Sequence, residues 1–394
     1  MNTQTSERIR LLDILRGFAI LGTLGTNIWL FAHLGNIDYL FTYTHNEWWA
    51  SVDTLIRYIV LFLVNGKLLG MLTLLFGVGL EIQYRRARLR NKRWPGPYLW
   101  TALFLMLEGL LHYTLVLEYD ILMSYALTSI IVAWIVSRGD RFIRRSMWIT
   151  GSIHGIFVLL LFMATMITYF MGGSMSIGNA AFSETVYSSG TWLEQVMFRI
   201  SNFGFFRTEA VFVLPLNIFL FLAGIRLMRA GAFAPDQRGR EIRRRMLKVG
   251  LGAGIPLNLL LFVPGGLFDF PLRYLFAPVM TLGYIALIAL MTERFSQWGL
   301  WSMLERIGKM ALSCYVLQNV LASILFYSWG FSLGGSTSSL ATVTVWLSIC
   351  LFLILFSTVW FNIFKQGPLE AARKFFIRRM TDKGRHHDSK TVSS

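Results

Sequence analysis

Along the chain, long apolar runs alternate with short polar intervals, most of them basic. A membrane crossing needs roughly twenty apolar residues, and ten runs meet that length: 11–33, 54–83, 98–117, 120–137, 148–171, 209–228, 246–263, 273–291, 310–328 and 340–361. The pattern predicts an all-α fold, a polytopic transmembrane helix bundle of about ten spans. The second run is too long for one straight span and is interrupted at Asn65-Gly66-Lys67. It is therefore either two pieces or a broken helix, which a membrane tolerates only beside protein or water.

Composition agrees with that class: 55% of the 394 residues are hydrophobic and only 15% are charged. The net charge of +16 changes the picture only through its distribution. Of the 37 Lys and Arg, 31 fall in the N-terminus and in the stretches 84–97, 138–147, 226–248, 292–309 and 362–394. The alternate loops hold only Arg199 and Arg207, and Arg16, Arg57, Lys67 and Arg273 lie within spans. An even number of spans with both termini cytoplasmic reproduces this split. The basic balance is thus topological, and a nucleic-acid partner is not expected. The loop 226–248, with its Arg243-Arg244-Arg245 run, suits anionic lipid. His386 and His387, in the polar tail after Arg378, read as solvated. Cys314 and Cys350 sit in apolar runs and read as packing residues, with no metal-ligand spacing around them. The first apolar run lacks a small-residue cleavage site and reads as a retained helix.

Candidate chemistry concentrates between Tyr98 and Ile130, where two apolar runs meet at a short turn. Glu108 and His112 are four apart, so a helix stacks them on one face. Asp120 opens the next span and Tyr125 follows it. Ionisable groups inside a membrane are costly and usually face a bundle interior or a watery cavity. Histidine can serve as base and then acid, with a carboxylate orienting its other nitrogen. Two readings stay open: a catalytic group for attack on a thioester or ester, or a satisfied polar cluster in which Asp120 caps a helix.

Other polar residues invite the same double reading. Arg16 either pairs with Asp13 along one helix or fixes an anionic group with its planar fork. Asn27 lies in the outer half of that helix and His33 at its rim. Lys67 follows the break and calls for a protein partner or a substrate oxygen. Ser313, Tyr315, Gln318 and Asn319 make one face of the ninth run polar, which suits interhelical hydrogen bonds. The pairs Gly66/Gly70, Gly151/Gly155 and Gly250/Gly254 have helix-packing spacing. Gly330-Phe331-Ser332-Leu333-Gly334 fits the nucleophile-elbow pattern but lies between two spans, where the required strand-to-helix turn is missing. The external stretch 172–208 is Gly/Ser-rich and then amphipathic from Trp192 to Arg199, either a connection or a cap over an outward-facing cavity.

Several motifs in register resemble the YeiB family of bacterial inner-membrane proteins: LDILRGFAILGTLGTNI (12–28), GKLLGMLTLLFGVGLEI (66–82) and LHYTLVLEYDILMSYAL (111–127). LNIFLFLAGIRLMRAGAF (216–233), IGKMALSCYVLQNVLASILFY (307–327) and QGPLEAARK (366–374) resemble that family's C-terminal domain of unknown function, DUF418. The N-terminal region is also distantly similar to the transmembrane acyltransferases, which move an acyl group from a cytosolic donor to an acceptor across the membrane. The resemblance implies a transmembrane region over 1–171, an external loop over 172–208, the family's C-terminal region over 209–374 and a basic, disordered tail over 375–394. It also implies a multi-pass protein of the bacterial cytoplasmic membrane.

Carried onto this sequence, Asp13, Arg16, Gly17 and Asn27 match the first motif, Lys67 the second, and His112, Asp120 and Tyr125 the third. Two positions depart from the family pattern. Tyr119 stands where glycine is usual, and the catalytic histidine of the N-acetyltransferases has only His33 as its nearest counterpart. The leading expectation is acyl transfer, with His112, Asp120 and Glu108 catalytic and Arg16, Asn27, Lys67, Tyr125, Tyr315 and Gln318 binding substrate or donor. The donor would be acyl-coenzyme A, with no tightly bound cofactor and no metal. Expected partners are the lipid bilayer, a small-molecule, glycan or lipid acceptor, and a second copy of the chain in a homodimer. The alternative is a transporter or lipid carrier using the same groups for binding or proton coupling.

Overall fold

The structure, a computed structural model, describes residues 9–43, 47–173, 180–377 and 379. His386, His387 and the rest of the polar tail lie outside the described residues, as does 174–179 of the stretch read as external. Among the described residues every regular element is helical. In order these are α1 (Arg10–Ala32), α2 (Val52–Val64), α3 (Lys67–Leu89), α4 (Gly96–Leu115), α5 (Leu122–Val136) and α6 (Asp140–Phe170). The short helices α7 (Ala180–Ser189), α8 (Trp192–Ser201) and α9 (Phe203–Phe206) follow, then α10 (Thr208–Ala230), α11 (Gln237–Gly252) and α12 (Gly254–Leu259). The last third holds α13 (Asp269–Pro271), α14 (Ala277–Arg294), α15 (Gly299–Lys309), α16 (Ala311–Phe326) and α17 (Ser339–Ile363), with a further helical stretch over 368–377.

Each apolar run is helical, but among the described residues fewer than ten segments are long and apolar enough to cross a membrane. Seven of the described segments qualify, or eight if α15 and α16, bent by 87°, count as one broken span. Two of the runs read as spans do not. α5 has 15 residues, about 22 Å at 1.5 Å per residue against a hydrocarbon core of roughly 30 Å. α4 is 20 residues long, but Glu108 and His112 lower its hydropathy. These two are sequence neighbours that pack antiparallel, so counting or omitting them together leaves the parity of crossings unchanged.

Ion pairs gather the basic helix ends. Arg229, at the end of α10, binds Glu81 of α3 (Nη2 to Oε2, 2.8 Å) and Asp140 at the start of α6. Arg243 of α11 pairs with Glu293 of α14, and Arg10 of α1 with Glu305 of α15 at 2.8 Å. We call this the basic end and the opposite one the far end. α1 is the axis of the bundle: 83% of its apolar window is buried, against 17% for α6 and 22% for α17. Those two present their apolar surfaces outward, as lipid-facing helices do.

Close crossings depend on small residues. Gly17 of α1 lies against the Leu304 carbonyl of α15, and Gly308 of α15 against the Asp13 carbonyl. Gly77 of α3 and Gly224 of α10 abut the Phe221 and Leu74 carbonyls in the same reciprocal way. Of the glycines paired by spacing, Gly250 and Gly254 pack on Gly283 and Met280, Gly70 on Thr281 and Gly151 on the Phe219 ring, whereas Gly155 faces open space. Gly66 has a different task. Its φ of 74° is left-handed, a conformation open to glycine at little cost, and it breaks the run 52–89 into α2 and α3. Protein seals the break: Asn65 donates to the Leu40 carbonyl (2.8 Å) and accepts from Arg273 (2.6 Å).

At the far end, Asp269 ties residues 42–43 to the start of α13, accepting from Thr42 N, Thr42 Oγ1 and Tyr43 N at 2.5, 2.9 and 3.1 Å. The nucleophile-elbow look-alike at 330–334 is a turn after α16, without the strand that motif requires. Cys314 on α16 and Cys350 on α17 are free.

Candidate functional site

The turn between α4 and α5 joins His112 to Asp120. Imidazole Nδ1 lies 2.9 Å from Asp120 Oδ1, with both side chains buried. The other carboxylate oxygen, Oδ2, accepts the Met123 N–H at 3.0 Å in the first turn of α5. One carboxylate therefore orients the histidine and caps the helix at once. On the opposite side of the ring, the Asn319 amide nitrogen of α16 lies 3.2 Å from Nε2. Asn319 also accepts from Asn27 of α1 (3.4 Å) and donates to the Tyr315 carbonyl (3.1 Å). A carboxylate at Nδ1 and an amide donor at Nε2 select the tautomer protonated on Nδ1. Its Nε2 lone pair is then available as a base.

Two cavities flank this group. The far-end cavity, about 110 Å³, is lined by Asn27, Tyr119, Asp120, Arg207, Glu209 and Arg273 among others. The basic-end cavity, about 290 Å³, has Arg16, Gln83, Lys309 and Arg373 among its polar lining, and Leu72, Leu75, Phe76, Leu105 and Leu122 along an apolar sleeve. Ile121 and Tyr125 line both cavities. His112 lines neither cavity but touches one lining residue of each. Asp120 faces the far cavity, while Tyr315, whose ring centroid is 5.0 Å from the imidazole, lines the basic-end one.

The remaining sequence candidates divide. Tyr125 holds the wall in place, its hydroxyl 2.8 Å from Thr73 Oγ1 and donating to Leu69 O at 3.1 Å. Arg16 reaches the basic-end cavity and pairs with Asp13 at 3.1 Å. Glu108 is not part of the histidine group: its carboxylate is taken by Arg373 of the stretch 368–377, Nε to Oε1 3.0 Å. Lys67 lies on neither cavity and meets neither Asp120 nor Glu108; it is buried, donates to the Leu61 carbonyl at 3.4 Å and stands over the Phe62 ring. Gln318 donates to Thr23 Oγ1 at 3.4 Å, away from both cavities. His33 stacks on Tyr39, ring centroids 3.3 Å apart, at the far end.

Sequence reasoning passed over Arg207, Glu209, Arg273 and Tyr274. Glu209 accepts from Arg273 (3.3 Å) and from the Tyr274 hydroxyl (2.8 Å), giving the far cavity a fixed charged wall. The signal was the count of basic residues, which isolates Arg199 and Arg207 in loops that hold no other Lys or Arg, and Arg273 inside a span. The stretch 180–208 supplies that wall too. Arg207 donates to the Asp120 carbonyl at 3.2 Å and to the Glu118 carbonyl. Arg199 donates to Thr114 O (2.9 Å), while Tyr113 donates to Arg199 O (2.6 Å). Beside them Glu118 is fully buried and accepts from the Tyr187 hydroxyl at 2.8 Å. Burial pushes its carboxyl above the ordinary glutamate value, against the pull of Arg199.

Comparison with known proteins covers most of the chain. The family described as protein of unknown function (DUF418) matches residues 227–379. Over 391 residues the chain is 26% identical to the uncharacterised protein YxaH of Bacillus subtilis (strain 168), covering 93% of this chain and 94% of that one. It is 28% identical over 390 residues to the uncharacterised protein YeiB of Escherichia coli (strain K12), covering 92% and 94%.

Proposed function

Taking the chain as a member of the YeiB family with a DUF418 domain in its C-terminal region, we propose that it transfers an acyl group across the membrane, from a thioester donor such as acyl-coenzyme A to an acceptor on the far side. The observation that carries this reading is the buried His112–Asp120 pair beside two cavities that share Ile121 and Tyr125 as a wall. Donor enters from the basic end, where Arg16, Lys309 and Arg373, each also paired with a carboxylate, face its anionic groups and the apolar sleeve takes the acyl chain. The acceptor's O–H or N–H comes from the far cavity and displaces the Asn319 amide from His112 Nε2. As the acceptor atom bonds to the thioester carbon, Nε2 takes its proton. The C–S bond then breaks, and the leaving thiolate recovers that proton from the imidazolium. Asp120 holds Nδ1–H throughout and stabilises the cation. A positioned general base contributes on the order of 10²–10⁴-fold.

The same reading places the protein in the bacterial cytoplasmic membrane with its basic end and both termini on the cytoplasmic side, as the positive-inside rule requires. The test is turnover of acyl-coenzyme A by the purified full-length protein with candidate far-side acceptors. His112→Ala and Asp120→Asn should abolish or sharply reduce it, and unchanged turnover in His112→Ala removes the base. A carrier is the second reading, favoured by the break at Gly66, which lines the far cavity, since unwound backbone often lines substrate sites. Accumulation of unmodified substrate in vesicles under a pH gradient would decide for it.

A further inference from the structure

Away from both cavities, a groove of about 480 Å³ opens between α6 and α10 at the basic end, lined by Arg144, Trp148 and Gly151 of α6 and by Phe219 and Arg226 of α10. The two helices run antiparallel and are tied at their ends by the Asp140–Arg229 pair. Arg144 lies one turn inward from Asp140 and Arg226 one turn inward from Arg229, so the two guanidinium groups share a level. Arg229 is occupied by Glu81 and Asp140. Among the described residues, Arg144 and Arg226 have no acidic partner, and both are exposed.

We propose that this groove binds the headgroup of an anionic phospholipid, its phosphate held between Arg144 and Arg226. Arginine's planar fork suits phosphate oxygens, and basic pockets between membrane helices on the positive side are where such headgroups dock. The neighbouring surface argues for a lipid over a soluble phosphate. Trp148 is 79% exposed, a position where tryptophan anchors at the membrane interface. Beyond it, Ile149, Ile153, Ile156, Phe157 and Leu160 form an exposed apolar face for the acyl chains. At Gly151 an added Cβ would come within 3.2 Å of the Phe219 ring, so glycine keeps the groove floor low. The proposal is independent of acyl transfer and holds equally for a carrier.

The test titrates the full-length detergent-solubilised protein with dioleoyl phosphatidylglycerol or dioleoyl phosphatidylcholine, counting bound lipids by native mass spectrometry. The first phosphatidylglycerol should bind at a concentration lower by on the order of tenfold, as expected for two interfacial arginines. Arg144→Gln with Arg226→Gln should erase that preference, while Arg144→Lys with Arg226→Lys retains most of it. An undiminished preference in the glutamine variant overturns the proposal. Displacement of phosphatidylglycerol by equimolar glycerol 3-phosphate also overturns it, in favour of a soluble-phosphate site. Should the glutamine double variant fail to fold, Arg144→Glu alone decides the matter: loss of preference supports the site and retention sinks it.

Discussion

Glu108 and Arg373 are 265 residues apart in sequence and share an ion pair, Nε to Oε1 3.0 Å. Glu108 is one turn from His112 yet serves the C-terminal helical stretch, fastening it to α4. From the same stretch, Glu370 accepts the Leu312 and Ser313 N–H groups (2.9 and 3.3 Å) at the start of α16. QGPLEAARK thus acts as a clasp, with Arg373 also lining the basic-end cavity.

Removing one partner strands the other in a partly buried setting. Glu108→Gln and Arg373→Met should each lower stability by about 1–3 kcal/mol, between the ranges for exposed and buried pairs. The double variant should lose less than the sum, which thermal unfolding of the four proteins in detergent would measure as a coupling energy. If acyl transfer is the activity, Glu108→Gln should keep far more of it per folded molecule than His112→Ala.

The histidine geometry makes a prediction that needs no substrate. Nitrogen-15 spectra of the protein should report His112 as the Nδ1–H tautomer, held by Asp120 and by the Asn319 amide at Nε2. In Asp120→Asn the side-chain amide can turn its NH₂ toward the ring, and the tautomer should shift to Nε2–H. Any base-catalysed turnover should then drop by on the order of 10²–10⁴-fold. A spectrum unchanged in Asp120→Asn would show that Asp120 does not set the proton's position.

Much of this arrangement was legible in the sequence, for reasons that differ between residues. The helices followed from apolar run length, and the basic end from the placement of Lys and Arg. His112 and Asp120 stood out because buried ionisable groups are expensive in hydrocarbon. Helical spacing, however, says only that Glu108 and His112 share a face; which distant segment meets that face depends on tertiary packing. Arg373 looked like one more basic residue near the tail, and nothing local distinguished it. Lys67 is a related case. A lysine opening a helix beside Gly66 calls for a protein partner or a substrate oxygen, and tertiary packing gives it the Leu61 carbonyl, away from both cavities. Run length alone does not separate α4 and α5, one polar and one short, from the segments long and apolar enough to cross a membrane.

Glu118 should give the protein a pH dependence at the far end. Its carboxyl is raised by burial, opposed by Arg199, the Tyr187 hydrogen bond and Arg207. Between the ordinary glutamate value and the raised one, the folded protein keeps a proton that the unfolded chain has lost. This contribution to stability is therefore complete below the unfolded value and is lost as pH rises through the folded one. Glu118→Gln, which keeps an acceptor for Tyr187, should flatten the stability profile above the ordinary carboxylate range and match or exceed wild type at pH 8. Thermal unfolding from pH 4.5 to 8 checks it, and parallel profiles would assign the slope to another group.

The α3–α10 crossing gives the sharpest mechanical prediction, because Gly77 and Gly224 each touch the partner's backbone, where no side chain can move aside. A methyl at either position would force the helices apart along their buried faces, and overpacking of this kind costs about 1–3 kcal/mol or more. Gly77→Ala and Gly224→Ala should each reduce the yield of folded protein and lower its thermal midpoint. The displacement should also reach the wall between the cavities, since Thr73, one turn from Gly77, holds the Tyr125 hydroxyl. Gly155→Ala is the matched control. It sits on α6 with nothing near its added Cβ, so the substitution should be neutral or stabilising by up to about 1 kcal/mol from helix propensity alone. Equal behaviour of the three variants would mean that α3 and α10 do not cross at these glycines.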